Sequence, residues 1–202
     1  MLKLLLGTKN KGKISELVRL FSHLDVEFVG LSDFESVIEP EETGTTFEEN
    51  AELKASYYAK RTGRAALADD SGLEVACLGG RPGIFSARFA GKNASDGENI
   101  AKLLDELKTT GTANRVAKFR CAMSLANTNG KIIHTAVGSC SGHISVKPIG
   151  CNGFGYDPVF VPDGYGETFG ELPNSVKTGL SHRSAAANKI ADFLSSNYDL
   201  LT

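Results

Sequence analysis

The sequence lacks any apolar run of the ~20 residues that a membrane-spanning helix needs. Its apolar N-terminus, residues 1–6, continues directly into Gly7-Thr8-Lys9-Asn10 without the small residues of a signal-peptide cleavage site. We therefore expect a protein that does not act at membranes, and we predict that residues 2–6 form a buried first strand.

A basic excess is also missing. The chain has 22 Lys and Arg against 24 Asp and Glu, which gives a formal net charge of −2. Proteins that bind nucleic acid usually carry a basic face or a high pI. We expect no nucleic-acid partner, and any bound anion must be met by a local group of Lys and Arg side chains.

Paired cysteines are the third absence. The four cysteines are Cys77, Cys121, Cys140 and Cys151, and no two of them form a C-x-x-C motif. A zinc ribbon or a thioredoxin-like site therefore has no support. Reduced, buried thiols in a cytoplasmic protein are the simpler interpretation.

The residues that are present follow a mixed α/β pattern. Residues 11–21 have helical spacing, whereas residues 116–126 alternate and residues 131–140 return the chain, which is typical of a hairpin. Antiparallel pairing in the second half excludes a simple doubly wound sheet. Further elements are predicted as strands at 26–31, 65–68, 73–77 and 158–161, and as a last helix at 181–194.

Two capping boxes predict where internal helices begin. Thr46 with Glu49, and Ser95 with Glu98, each combine a hydroxyl with a carboxylate three residues later. In such a box each side chain satisfies a free N–H of the first helical turn.

The first chemically suggestive segment joins the first strand to the first helix. It contains Gly7, Gly12 and three lysines: Lys9, Lys11 and Lys13. Strand-to-helix loops point N–H groups and the positive helix end at one place, which suits phosphate. A P-loop would need a hydroxyl where Ile14 stands, and a solvated lysine-rich turn is the plain alternative.

The second segment is acidic. Asp69 and Asp70 follow the predicted strand 65–68, and Glu41 and Glu42 lie in a polar loop. Adjacent residues of a strand face opposite ways, but at a strand end both carboxylates can approach one cleft. Asp70 and Glu41 are then candidates for Mg²⁺, which takes one or two carboxylates plus substrate phosphate. A simple Asp-Asp-Ser-Gly turn is the alternative, and a haloacid-dehalogenase-type phosphatase would need D-x-D.

The third segment combines aromatic and polar residues. In residues 153–157, Phe154 or Tyr156 can stack on a base and Asp157 can accept from a base N–H. Further on, His182 and Arg183 open the last helix, and Arg183 can donate to a base carbonyl. Core packing and a surface helix start are the respective alternatives.

Taken together, six segments closely resemble the inosine triphosphate pyrophosphatase family, also called the non-standard purine NTP pyrophosphatases. They occur in the family's order and span nearly the whole chain, at residues 8–13, 41–54, 68–73, 79–88, 154–158 and 181–183. The resemblance implies a long, twisted mixed sheet in one domain, residues 1–202, with two α/β lobes and a cleft between them. It also implies hydrolysis of ITP, dITP and XTP to monophosphate and pyrophosphate, and a homodimer.

The resemblance assigns roles to individual residues. Asp70 is expected to be the catalytic proton acceptor, and Glu41 and Asp70 are expected to bind Mg²⁺, with Ser71 contacting substrate. The expected phosphate contacts are Thr8, Lys9, Asn10, Lys11, Gly12, Lys13 and Lys54. The expected base and sugar contacts are Phe154, Gly155, Tyr156, Asp157, Lys177, His182 and Arg183.

Three other function classes stay open on sequence alone. A P-loop NTPase would release orthophosphate, and a septum-inhibitor-type pyrophosphatase, of a related fold, would prefer other nucleotides. A nucleotide-sensing module would bind ITP and leave it intact.

Overall fold

A computed structural model describes residues 2–34 and 37–201 of the chain, so residues 1 and 202 of the predicted domain lie outside the described residues. The strands in these ranges are β1 (Leu2–Leu6), β2 (Val26–Gly30), β3 (Ala66–Val75), β4 (Val116–Ala126), β5 (Ile132–Ile144) and β6 (Phe160–Pro162). The α-helices there are α1 (Lys11–Leu20), α2 (Phe47–Thr62), α3 (Asp96–Thr109), α4 (Asn174–Leu180) and α5 (His182–Asn197). None of the helices described is long and apolar enough to cross a membrane.

The described strands form one mixed sheet in the order β2-β1-β3-β4-β5-β6. Strand β1 runs parallel to both β2 and β3, whereas β5 and β6 are antiparallel. The mixed α/β fold predicted from the sequence is therefore confirmed. The predicted hairpin is also present but longer than expected, since β5 extends to Ile144.

The chain divides into two compact units. The first comprises the described residues of 1–70, 121–138 and 183–202, and the second comprises 71–120 and 139–182. Strand β3 belongs to the first unit up to Asp70 and to the second from Ser71 onward.

In the first unit, helices cover the two faces of the sheet. Leu67 of β3 belongs to a buried cluster with Leu17 of α1 and Ile190 of α5. On the opposite face, Ala66 and Ala68 pack with Tyr58 of α2. The alternation of side chains along β3 thus directs successive residues to different helices.

The second unit has its own apolar core. Leu73 and Val75, from the second half of β3, pack with Leu103 of α3 and with Phe119 and Phe160. The rings of Phe119 and Phe160 lie 4.5 Å apart between centroids. A separate core of this kind can hold its own loops in place.

The helix starts follow the predicted chemistry with one change. Ser95 and Glu98 form a complete capping box at α3. At α2, Thr46 Oγ1 accepts from Glu49 N–H, but the Glu49 carboxylate binds Thr45 N–H instead of that of Thr46. The prediction of a full box there is wrong, because Glu49 also binds the Thr45 hydroxyl and reaches one residue further back.

Candidate active site

The loop between β1 and α1 is shaped by close packing and by local hydrogen bonds. A Cβ atom on Gly7 would lie 2.7 Å from Tyr58 Cδ2, so only glycine fits there without a shift. Thr8 Oγ1 accepts from Asn10 N–H, and Asn10 Oδ1 accepts from Lys13 N–H at the start of α1. The loop therefore follows a defined path and ends at Asn10, the residue that caps α1.

Most remaining side chains of this predicted phosphate loop face solvent. Lys9, Asn10 and Lys11 are exposed, and Thr8 and Gly12 are partly buried. Lys13 differs, because its side chain is only 15% exposed and its Nζ lies 3.0 Å from Asp69 Oδ2. Of the three lysines, Lys13 is the one that the fold directs inward.

Asp69 and Asp70 lie within β3, which continues to Val75. The predicted strand end at residue 68 is wrong, and so is the turn at Asp69-Asp70-Ser71-Gly72. Burial of the following residues, such as Leu73, overrides the local turn preference. The two carboxylates therefore occupy opposite faces of the strand and have different neighbours. The separate strand predicted at 73–77 is the end of the same β3, and Cys77 lies in a short 3₁₀ turn.

On one face, Asp69 is fully buried among cations. Its Oδ2 lies 3.0 Å from Lys13 Nζ and 3.4 Å from Arg183 Nη2. Arg183 Nη1 in turn donates to Glu16 Oε2 at 2.5 Å. Burial alone would raise the pKa of Asp69, but Lys13 and Arg183 outweigh it and hold that pKa well below its usual range. Asp69 is thus a fixed negative charge.

On the other face, Asp70 binds two residues of α2. Lys54 Nζ lies 3.1 Å from Oδ1, and Asn50 Nδ2 donates to Oδ2 at 3.2 Å. Burial raises the pKa of Asp70, Lys54 and Lys13 oppose the rise, and the nearby Glu42 carboxylate adds to it. Consecutive aspartates therefore have pKa values moved in opposite directions, a pattern typical of catalytic carboxylates.

The polar loop before α2 also reaches this second face. Glu42 Oε1 lies 2.9 Å from Lys54 Nζ, whereas the predicted ligand Glu41 is exposed. Asn50 bridges the loop to the strand, because its Oδ1 accepts from Gly44 N–H while its Nδ2 binds Asp70. Asn50 was not among the predicted site residues, although its spacing of four from Lys54 puts both on one face of a helix.

The carboxylates of Asp70 and Glu42 both contact Lys54 Nζ and are the side chains near this point that could contribute to a magnesium site. Carboxylate oxygens are the ligands that Mg²⁺ prefers, and substrate phosphate completes its coordination. Burial is the largest cause of the raised pKa of Asp70, and the partly buried Glu42 carboxylate adds to the rise. Within residues 2–34 and 37–201, no group of three or more His, Cys, Asp and Glu side chains is placed to hold a metal ion.

In the second unit, three predicted residues come together. Lys177 of α4 places its Nζ 2.5 Å from Asp157 Oδ2 and 4.8 Å from the centre of the Phe154 ring. Asp157 Oδ2 also accepts from Phe154 N–H. Phe154, Asp157 and Lys177 thus form one cluster, with a cation, a carboxylate and an aromatic ring within contact distance.

The other predicted residues of this unit differ in exposure. Tyr156 is buried and donates through its hydroxyl to Ser86 O, so Phe154, which is partly exposed, is the ring suited to stack on a base. His182 is 4% exposed and stacks on Phe119 at 4.7 Å. Ser71, next to Asp70 in sequence, is partly buried.

Comparisons with known proteins identify the family of this chain. The family model of the Ham1 family matches residues 4–193. A dITP/XTP pyrophosphatase of Oceanobacillus iheyensis is 44% identical over 96% of this chain and 98% of that protein. One from Desulforamulus reducens is 46% identical over 98% of each.

Solved structures give the same result. A HAM1 protein from Coxiella burnetii superimposes with a TM-score of 0.89 at 41% identity, covering 97% of this chain and 100% of that one. The Staphylococcus aureus Ham1 protein gives a TM-score of 0.85 at 40% identity, covering 96% and 98%. Sequence and structure together establish that this chain belongs to the Ham1 family.

Proposed function

We propose that this protein is a nucleoside triphosphate pyrophosphatase that hydrolyses ITP, dITP and XTP to the monophosphate and pyrophosphate. It would thereby remove deaminated purines from the nucleotide pool. The observation that carries the proposal is the pairing of two lysines, Lys13 and Lys54, with the consecutive buried aspartates Asp69 and Asp70. The names of the relatives, which match over nearly their full length, support the same substrate class.

The triphosphate is bound by the loop that precedes α1 and by the side chains of Lys13 and Lys54. The N-terminus of α1 offers the positive end of a helix, and Thr8 and Asn10 lie beside it. Lys13 and Lys54 place their charges on the departing pyrophosphate, which lowers the energy of the charge that develops as the bond breaks.

Asp70 accepts the proton of the water that attacks the α-phosphate. A general base works best when its pKa lies closer to the working pH, and burial shifts the pKa of Asp70 upward. Lys54 binds Asp70 Oδ1. When Lys54 turns to a phosphate, that oxygen becomes available to the water. Asn50 keeps the carboxylate oriented through Oδ2.

Mg²⁺ is the proposed cofactor. Asp70, with Glu41 or Glu42 of the loop before α2, would hold it. When bound, the ion neutralises phosphate charge and orients the reacting groups.

Selection of the base rests on the 6-position. Hypoxanthine and xanthine carry an oxygen there, whereas adenine carries an amino group. A buried donor left facing that amino group costs about 1–3 kcal/mol. Stacking of the base on the Phe154 ring contributes about 1–3 kcal/mol to binding, and any base can make this contact. Arg183 stays the predicted donor to that oxygen; in the structure its Nη1 and Nη2 atoms contact Glu16 and Asp69.

The test is identification of products from a nucleotide panel. The purified protein is incubated with Mg²⁺ and ITP, dITP, XTP, dATP or dTTP, and nucleotides and phosphates are separated by chromatography. Monophosphate plus pyrophosphate from the first three alone supports the proposal. Orthophosphate would favour a P-loop-type NTPase, cleavage of dTTP a septum-inhibitor-type enzyme, and intact ITP a sensing module.

A homodimer and a cytoplasmic location belong to the same proposal. The first is supported by the family resemblance and the second by unpaired cysteines, of which Cys121 and Cys140 are buried as free thiols. Sedimentation of the purified protein at micromolar concentration, giving twice the chain mass, is the expected result for the dimer.

A further inference from the structure

The Phe154 ring is carried by a loop that has a glycine on each side of this residue. Residues 153–157, which we call the aromatic loop, place Phe154 between Gly153 and Gly155, with φ angles of 74° and 62°. Both values lie in the left-handed region that glycine enters freely. Because glycine permits many backbone conformations, the contacts that the loop makes with its surroundings help to hold the ring in place.

One anchor is internal to the loop and its neighbours. Asp157 Oδ2 accepts from Phe154 N–H at 2.8 Å, and Tyr156 donates its hydroxyl to Ser86 O at 2.9 Å. Ser86 is itself fixed, because its Oγ accepts from Leu73 N–H of β3. These bonds hold the C-terminal side of the loop.

The other anchor comes from helix α3. Gly155 N–H donates to Asp96 Oδ2 at 2.7 Å, across 59 positions of sequence. Asp96 is the first residue of α3, next to the capping residue Ser95. Burial, together with the Asp96 carboxylate, also raises the pKa of Tyr156.

We propose that Asp96 is a positioning residue that holds the aromatic loop through Gly155 N–H, and so sets the Phe154 ring for the nucleotide base. This inference rests on the proposed function, because the base is the ligand that the ring would meet. Asp96 is not one of the residues that the proposed function assigns to the phosphates or to the attacking water, and its carboxylate contacts the loop backbone. Its loss should therefore weaken nucleotide binding and leave bond cleavage nearly unchanged.

The variants separate the loop bond from the helix start. Asp96→Ala removes the acceptor, whereas Asp96→Asn keeps an oxygen that can accept from Gly155 N–H. Glu98→Ala is the matched control: Glu98 is exposed, and its carboxylate accepts from the N–H and the hydroxyl of Ser95 in the capping box. It weakens the same helix start while keeping the Asp96 side chain.

Two readouts are needed. The first is KM and kcat for dITP hydrolysis. Asp96→Ala is expected to raise KM about tenfold with kcat nearly unchanged, as for loss of one charge-assisted hydrogen bond. Asp96→Asn should recover most of the wild-type KM, and Glu98→Ala should lower the melting temperature without raising KM. A KM for Asp96→Ala equal to that of wild type, or an equal rise with Glu98→Ala, would overturn the inference.

The second readout does not depend on activity. Hydrogen exchange followed by mass spectrometry should show faster exchange of peptides covering residues 153–157 in Asp96→Ala than in wild type and Glu98→Ala. If the wild-type protein cleaves no dITP, the proposed function fails, and exchange alone then decides whether Asp96 anchors the loop. Unchanged exchange in Asp96→Ala would refute the anchor.

Discussion

Asp69 and Asp70 are neighbours on one strand, but each binds a different lysine: Asp69 Oδ2 lies 3.0 Å from Lys13 Nζ, and Asp70 Oδ1 lies 3.1 Å from Lys54 Nζ. The alternation of β3 separates them, so one carboxylate faces α1 and α5 while the other faces α2. In the proposed function, Asp69 is therefore a structural charge and Asp70 is the carboxylate that takes part in the reaction.

Asp70→Asn should abolish most activity and leave the fold intact. Asparagine keeps the shape and can still bind Lys54, but it cannot accept the proton of the attacking water. Loss of a general base typically costs about 10²- to 10⁴-fold in rate. Steady-state kcat for ITP checks this, with far-UV circular dichroism as the control for folding. A variant with near wild-type kcat would remove Asp70 from the mechanism.

Asp69→Asn should instead destabilise the protein. Lys13 and Arg183 would lose the fully buried carboxylate that both of them contact, and breaking a buried ion pair typically costs about 3–5 kcal/mol. Urea unfolding at pH 7 measures the change in the free energy of unfolding. The control is Glu52→Gln, a matched acid-to-amide substitution in the same unit. Glu52 accepts a hydrogen bond from Thr135 and lies outside this ion network. Equal stability of the wild type and Asp69→Asn would contradict the assignment.

Gly7→Ala tests the close approach at the predicted phosphate loop. The added methyl would sit 2.7 Å from Tyr58 Cδ2 and 3.0 Å from Ala68 Cβ, so the loop or α2 must shift. Overpacking of this kind typically costs about 1–3 kcal/mol. Thermal unfolding should show a lower melting temperature than wild type, whereas Gly166→Ala, which meets nothing within 4 Å, should not. A melting temperature of Gly7→Ala equal to that of wild type would contradict the close packing of this loop against Tyr58.

Two cysteines should react very differently with iodoacetamide. Cys151 is exposed, whereas burial and the Asp69 carboxylate raise the pKa of the buried Cys121 thiol from 9.0 to about 12. Thiolate is the reactive form, so labelling of the folded protein at pH 8 should modify Cys151 and spare Cys121. Peptide mass spectrometry reads out both sites, and rapid labelling of Cys121 without unfolding would contradict its burial.

The raised pKa of Cys121 predicts that the free energy of unfolding depends on pH in the alkaline range. The pKa of Cys121 is about 12 in the folded state and near 9.0 in the unfolded state, so the thiol stays protonated to a higher pH when the protein is folded. Its stabilising contribution is full below pH 9 and is lost as pH rises toward 12. Wild type should therefore lose stability between pH 9 and 11 more steeply than Cys121→Ala, measured by urea unfolding at each pH. Parallel curves would contradict the shift.

The sequence was sufficient for elements whose signal is local. The apolar run of β1 and the alternation of β4 gave their bounds, and the Ser95 capping box gave the start of α3. The seven-residue helix α4 was not anticipated; no side-chain cap marks its start at Pro173, and it is too short to show clear periodicity.

The site was only partly accessible from sequence, because its partners are set by tertiary contacts. Arg183 binds Glu16 across 167 positions of sequence, and nothing local to either residue indicates that pair. Asn50 meets Asp70 only because α2 packs on the face of β3 that carries Asp70. The family motifs indicated which segments form the site. The individual pairs, such as Asp70 with Asn50 and Lys54, depend on how the helices pack on β3.

The central claim is that water attacks the α-phosphate with help from Asp70, and hydrolysis of ITP in ¹⁸O-labelled water tests it most directly. Mass spectrometry of both products locates the new oxygen. The account predicts that the label appears in the inosine monophosphate and that the pyrophosphate stays unlabelled. Label in the pyrophosphate, or release of labelled orthophosphate, would contradict it.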